Sequence, residues 1–441
     1  MTRRTSRKVF TPKSQHHKNS HFRRCPPRTI VTRSRHNTTA SFFHRLPSEV
    51  FDMILDKLSV LELSVFSMVS KDMTRYILDY ISTAAWKNKM IIQNFHYSTS
   101  LERKSSIRHY RDLGLLFKRC TLLVPTNERL KLIFNKFSEV PCLMLEQCLA
   151  QFCTGFSCYG VFLQTLIAGW DELECHRVFK FLCENTNLLQ KIVLAINEKP
   201  GVRWYQELQL RLFCRQVLLD PWPNQPDCQF WLMQLLKPWP LFSQAHLLFI
   251  LYGPLLPEGP LGWQVLVEGG VPHTRLWDLA RAILLLSGSK DSKGQTQTSV
   301  LAILEELTAI PQPWHEENVA RLLVLCGSSL CYTVLASKAV SGRLLEISRL
   351  LVNIVLVCEK DGYHMSWVVQ LVLQILKVFS TPQEKFRFIQ QLEDMFSVVM
   401  REFYEFSVAG NHLDDQASQS LCILMDSSSR FHTKFLHMLL K

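Results

Sequence analysis

The first 45 residues contain no acidic side chain, yet hold twelve Lys and Arg between Arg3 and Arg45. The other residues carry 38 charges of each sign, so the net +12 belongs to this segment and the rest of the chain is neutral. That excludes reading the whole protein as a nucleic-acid binder from its isoelectric point. No apolar run approaches the roughly 18 residues a membrane helix needs; Leu350–Cys358 is too short and follows Arg349. A continuous apolar stretch of signal-peptide type is missing near the start. Glycine is sparse, at 16 of 441 residues, and no Asn-Gly or Asp-Gly turn sits between alternating runs, so strand signals are nearly absent. No Gly-Lys-Ser/Thr ending follows Gly288–Gly294, and His315-Glu316-Glu317 lacks the second histidine of a zincin. Gly155-Phe-Ser157-Cys-Tyr-Gly160 is one residue off a nucleophile elbow and has no strand before it. We therefore expect no catalytic residues and no cofactor.

The fourteen cysteines fit reduced thiols of a soluble intracellular protein, nuclear or cytoplasmic. Cys142, Cys148, Cys153 and Cys158 cluster, with Cys175-His176 and Cys183 beyond them, but the gaps of five, four and four residues are wider than a zinc knuckle's C-x2-4-C. Most lie in apolar helical surroundings, where cysteine packs as a small core residue. The expectation is buried thiols and no metal.

Residues 46–86 hold the most informative pattern. Pro47 suits a first helical position. Val50, Phe51, Ile54, Leu55 and Leu58 then form an apolar stripe at helical spacing. Ser59 with Glu62 makes a capping box, which ends one helix and starts the next. Leu63, Phe66 and Val69 continue the apolar face, and a third helix is predicted over Asp72–Ile81. Leu46-Pro47, stripe, capping box and Val69-Ser70-Lys71 in this order resemble an F-box, the helical module through which substrate adaptors dock on Skp1 of a cullin-based ubiquitin ligase. The resemblance implies Leu46, Pro47, Val50, Phe51, Ile54, Leu55, Leu58, Leu63 and Val69 as the Skp1-binding residues. It also implies a non-catalytic role, with Skp1, a cullin scaffold and an unknown protein substrate as partners. Tyr110–Cys120, Ala168–His176, Lys237–Pro240 and Ala336–Val340 are similar, in the same order, to segments of one F-box-only subfamily, which implies an adaptor of germ cells in meiotic prophase.

The expected organisation is all-α. A disordered basic tail over 1–45 precedes an F-box over 46–86 and a helical body with a first stretch over 87–252 and a second over 273–440. The tail is too polar to fold alone; it is an import signal, an acidic-partner contact or a plain solvated segment, and Pro12, Pro26 and Pro27 argue against a transit helix. Asp171 with Glu174 starts one body helix, Gln206–Leu219 is another, and Gly253–Pro272 is the main turn region. Ser287–Ser299 reads as an exposed loop. Thr381 with Glu384 caps a long helix carrying Ile389, Leu392, Phe396, Val399, Phe403 and Phe406 on one seam. The body is either an α-solenoid or a compact irregular domain, since no internal period can be counted. Trp222 and Trp239, held on loops by flanking prolines, are candidates for a substrate face. The competing class is a nuclear helical-repeat scaffold whose F-box-like helices pack internally.

Overall fold

The structure, a computed structural model, describes residues 46–96, 99–145, 153–288, 293–409 and 415–440. The basic tail expected over 1–45 lies outside the described residues. By contacts the chain divides into residues 1–57 and residues 58–441. Among the described residues there are α-helices, short 3₁₀ turns, one π-helical turn and no strand, only two isolated bridges.

The first unit contributes α1 (Ser48–Leu55), entered from Pro47. The second unit opens with α2 (Val60–Phe66), α3 (Lys71–Ser82) and α4 (Ala84–Met90). Each start is fixed locally. Ser59 accepts from the Glu62 amide while Glu62 accepts from the Ser59 amide, a closed capping box. Ser70 and Thr83 cap α3 and α4 in the same manner from one side. Side-chain oxygens thus satisfy amides that a helix start leaves without partners.

The body begins at α5 (Ser100–Cys120) and α6 (Thr126–Phe137), followed by α7 (Gly155–Ile167) and α8 (Glu172–Thr186). Asp171 caps α8 by accepting from the Glu174 amide at 2.7 Å. α9 (Leu188–Asn197) starts directly from Asn187, whose φ of 52° is a left-handed conformation that asparagine tolerates. α10 (Trp204–Phe213) runs on into a π-helical turn over Cys214–Leu219, so the expected Gln206–Leu219 helix changes its winding midway. Then come α11 (Gln225–Leu236), α12 (Leu241–Tyr252), α13 (His273–Ser287), α14 (Lys293–Leu307), α15 (Glu316–Leu325), α16 (Gly327–Val340), α17 (Leu344–Lys360), α18 (Met365–Leu376), α19 (Pro382–Ala409) and α20 (Asp415–Leu439).

Packing follows a rule. α5 rests on α7, α6 on α8, α10 on α12, α11 on α13, α12 on α14, α13 on α15, α15 on α17, α16 on α18, α17 on α19 and α18 on α20, besides contacts between sequence neighbours. Helices that meet their next-but-one neighbours over most of the body, from α10 to α20 with the exception of the pair α14 and α16, form a stack of helix pairs, the arrangement of an α-solenoid. α17 is buried on nearly every side from Ile347 to Cys358, so the apolar run that is too short for a membrane is the axis of a core.

One sequence expectation holds and one changes. Gly253–Pro272 is a loop, but it does not divide the body into separately packed halves, because α12 packs against both α13 and α14 across it. Trp263 stitches it down, stacking on Phe249 at 3.8 Å and donating from Nε1 to the Glu207 carboxylate at 2.9 Å. Ser287–Ser299 is not a loop throughout, since α14 is already helical from Lys293.

Glycine matters at close crossings. A Cβ on Gly114 of α5 would stand 2.8 Å from the Phe162 carbonyl oxygen of α7. Gly160 meets the Gln216 carbonyl in the same way, and Ser157 Oγ donates to Gln216 Oε1 at 2.9 Å. The glycines and serine of the near-elbow are thus spent on helix packing.

Candidate docking surface

Helical spacing defines a stripe but does not say which edge of it the fold covers. On α1, Phe51 and Leu55 are buried, whereas Val50, Met53 and Ile54 are exposed and Pro47 lies at the open start. Leu46 and Leu58 are half-buried.

α2 shows the same division with its inner partner identified. Val60, Leu63 and Ser64 are buried, and α2 packs on α5. Arg119 of α5 donates from Nη1 to Ser64 Oγ at 2.8 Å, fixing the rotation of α2 about its axis. Leu61 and Val65 therefore point away, and beyond the helix Met68 and Val69 are 57% and 66% exposed. Ser67 is buried and its carbonyl accepts from Thr74 Oγ1 at 2.7 Å, so the turn that presents Met68 and Val69 is tied to α3. α3 contributes Met73, Ile77, Tyr80 and Ile81 to the interior and leaves Tyr76 exposed.

Of the nine residues expected to contact a partner, Phe51, Leu55 and Leu63 are interior, and Pro47, Val50, Ile54 and Val69 are outside. Met53, Leu61, Val65 and Met68, outside the expected set, share this exposure. Their signal was present, as apolar residues next to the stripe, but only the position of α5 separates the two edges.

Elsewhere, Trp222 is half-buried and stacks on Trp231 at 5.7 Å. With Trp170, Phe230 and Lys118 it lines a cleft of about 560 Å³. Arg129 lies 4.3 Å over the Trp170 ring and is held by bonds to Thr121 Oγ1 and the Lys118 carbonyl. Trp239 spends its Nε1 proton on the Leu235 carbonyl of its own helix end. In the long seam of α19, Leu392, Phe396 and Val399 are buried, joined by Phe388 and Met395, with Ile389 and Phe403 half-buried; the side chain of Phe406 lies outside the described residues. That seam is core and offers no face.

Burial raises the thiols of Cys158 and Cys183 to about 12 and of Cys175 to about 11, as expected for packing thiols, while Cys148 lies outside the described residues. The structure adds a neighbour that sequence spacing could not: His96 stands beside Cys142 and Cys153. No helix among the described residues is long and apolar enough to cross a membrane.

Short capped helices with an outward apolar edge, joined to a stack of helix pairs, define an F-box protein with an armadillo-type body. Family comparison agrees on both regions: an F-box domain matches residues 43–82, and a family described as "FBXO47, ARM repeats" matches residues 184–441. F-box only protein 47 of Homo sapiens is 44% identical over 420 residues, covering 94% of this chain and 93% of its own length. The Mus musculus protein of the same name is 45% identical over 407 residues, covering 91% and 90%. The chain belongs to the F-box only protein 47 family. No solved structure matches it.

Proposed function

We propose that this protein is the substrate-recognition adaptor of a Skp1–cullin–F-box ubiquitin ligase, and that it docks on Skp1 through the outward edges of α1 and α2. The observation that carries the proposal is the run of exposed apolar side chains, Val50, Met53 and Ile54 on α1 and Leu61, Val65, Met68 and Val69 on and after α2, within a segment matched as an F-box. Internal packing, the scaffold alternative, would cover these side chains. Phe51 and Leu55 are the buried side of α1, and Leu63 that of α2. The adaptor performs no chemistry. Partner subunits transfer ubiquitin, and this chain contributes proximity by holding a substrate near the charged enzyme.

Truncating two buried anchors of an interface costs about 2 kcal/mol each, or roughly a thousandfold in affinity. Val50→Ala/Ile54→Ala and Val65→Ala/Met68→Ala should each lose Skp1 in co-purification while keeping the wild-type helical signal. Full recovery of Skp1 with both folded variants would sink the reading.

The substrate face is proposed at the Trp170–Trp222 cleft, because Trp170, Trp222 and Phe230 give it aromatic walls, with Lys118 beside Glu172 and Asp227 at its polar side, which suits an apolar side chain of a bound peptide. Trp222→Ala should release other co-purified proteins and retain Skp1. Loss of Skp1 as well, with aggregation, would make Trp222 a core residue. The setting in germ cells at meiotic prophase, and a nuclear place, belong to the same proposal and rest on kinship with that subfamily; staining of the endogenous protein in testis sections tests both.

A further inference from the structure

Three separate segments of the second unit cross just before α7. The stretch after α4 runs to Phe95, whose carbonyl accepts from the Thr154 amide at 3.1 Å, and His96 pairs with Cys153 as an isolated antiparallel bridge. A 3₁₀ turn over Pro141–Leu143 packs on α7, at a distance only Gly155 permits, since a Cβ there would stand 2.6 Å from the Cys142 carbonyl oxygen. This brings one nitrogen and two sulfur ligand atoms of His96, Cys142 and Cys153 within 4.8 Å of one another.

We propose that His96, Cys142 and Cys153 bind one zinc ion that fastens these segments to the start of α7. Zinc takes thiolates at about 2.3 Å and imidazole at about 2.0–2.1 Å in a tetrahedron, which sets the sulfur-to-nitrogen edge at about 3.5 Å. Cys142 Sγ stands 3.5 Å from His96 Nε2. Thiolate and imidazole are the ligand types zinc selects, with no carboxylate in the group to favour a harder cation. Both cysteines are half-buried thiols and His96 is exposed, so an ion can enter from solvent. Cys153 lies just ahead of the N-terminus of the thirteen-residue α7, where the helix dipole favours a thiolate. Binding releases two thiol protons to solvent, and the two thiolates neutralise the dication. A water completes the tetrahedron.

The test uses the full chain, purified without a histidine tag, and elemental analysis followed by titration with Co²⁺. About one zinc per chain is expected. Co²⁺ should give a thiolate charge-transfer band together with the visible bands of a tetrahedral site, a measurement that needs no variant. Cys142→Ser and Cys153→Ser should each halve the charge-transfer intensity, and the double variant should abolish it. His96→Ala should weaken binding at least tenfold, and Cys228→Ser should change nothing. A wild-type chain that carries no zinc and gives no thiolate band with Co²⁺ would overturn the proposal. So would zinc retained by the double variant, or a Cys142–Cys153 disulfide detected by mass in the freshly purified chain.

Discussion

α1 and α2 leave five large apolar side chains in contact with water, and the turn after α2 adds Met68 and Val69, whereas α17 and α18, much longer together, leave Leu345 and the turn between them Tyr363. Both pairs are amphipathic or fully apolar by sequence, so hydrophobicity alone does not separate them. The difference is where the covering surface comes from. α17 meets α15, α18, α19 and α20, all from its own chain. α2 meets α3 and α5 on one side only. Burying one such side chain is worth about 1.5–3 kcal/mol, so the open edge of α1 and that of α2 are each surface that folding within the chain does not complete. A repeat stack covers each helix with the next, and the F-box segment does not continue that logic.

The comparison breaks first in the body, where the largest loss is expected. Glu317 of α15 is buried and accepts from Arg321 Nη2 at 3.0 Å and from Lys360 Nζ at 3.1 Å, while Arg321 Nε reaches Asp361 at 2.9 Å. Burial alone would raise the Glu317 carboxyl, but Lys360 and Arg321 outweigh it and hold the group below its usual value. Glu317→Ala leaves Lys360 without its partner and Arg321 with Asp361 alone to balance it, a loss of about 3–5 kcal/mol for a broken buried network. Urea unfolding should show it as a large drop in midpoint. A drop under about 1 kcal/mol would mean that water reaches the network and that the body is less sealed than its burial implies.

Two nearby positions on α2 sharpen the contrast. Leu63 is fully buried and Leu61 is 45% exposed. Leu63→Ala should cost about 2–5 kcal/mol of stability through the cavity it opens against α5. Leu61→Ala should leave stability within about 0.5 kcal/mol and instead weaken Skp1 binding. If both variants lose stability equally, the outward edge is covered by this chain in solution and the docking reading fails with it.

How much of this was legible depended on range. The capping box of Ser59 and Glu62, the Asp171 cap and the Thr381–Glu384 pair all appear where the sequence placed them, because each is closed by residues three apart. α3 over Lys71–Ser82 brackets the predicted Asp72–Ile81 for the same reason. The inner and outer edges of the stripe were not legible, since Arg119, which orients Ser64, lies 55 residues away. The solenoid was hidden by unequal helices and by the Gly253–Pro272 loop, whose glycines and prolines look like a boundary until Trp263 is seen stacked on Phe249. The approach of His96 to Cys142 was not legible either, since the two lie 46 residues apart.

The smallest expected effect decides whether α2 is preformed. Ser59 and Glu62 close the capping box at 2.7 Å for the Ser59 amide and 3.3 Å for the Glu62 amide, and α2 has only seven residues. Ser59→Ala removes the cap at about 1 kcal/mol. If α2 folds only on docking, that amount appears as roughly a fivefold loss of Skp1 affinity with no change in the melting of the free chain. Because Leu63 is buried, α2 packs on α5 and Ser64 is held by Arg119, the cost should instead fall on the stability of the free chain, and Skp1 affinity should stay within about twofold. The pH dependence gives a second handle. Bonds from the Ser59 side chain and then its amide hold the Glu62 carboxyl below its usual value, so the contribution of the box is complete above the ordinary carboxylate range and is lost as pH falls through the lowered value. Ser59→Ala should flatten that acid-side slope, and an unchanged slope with a fivefold loss of Skp1 binding would show that α2 forms on its partner rather than on α5.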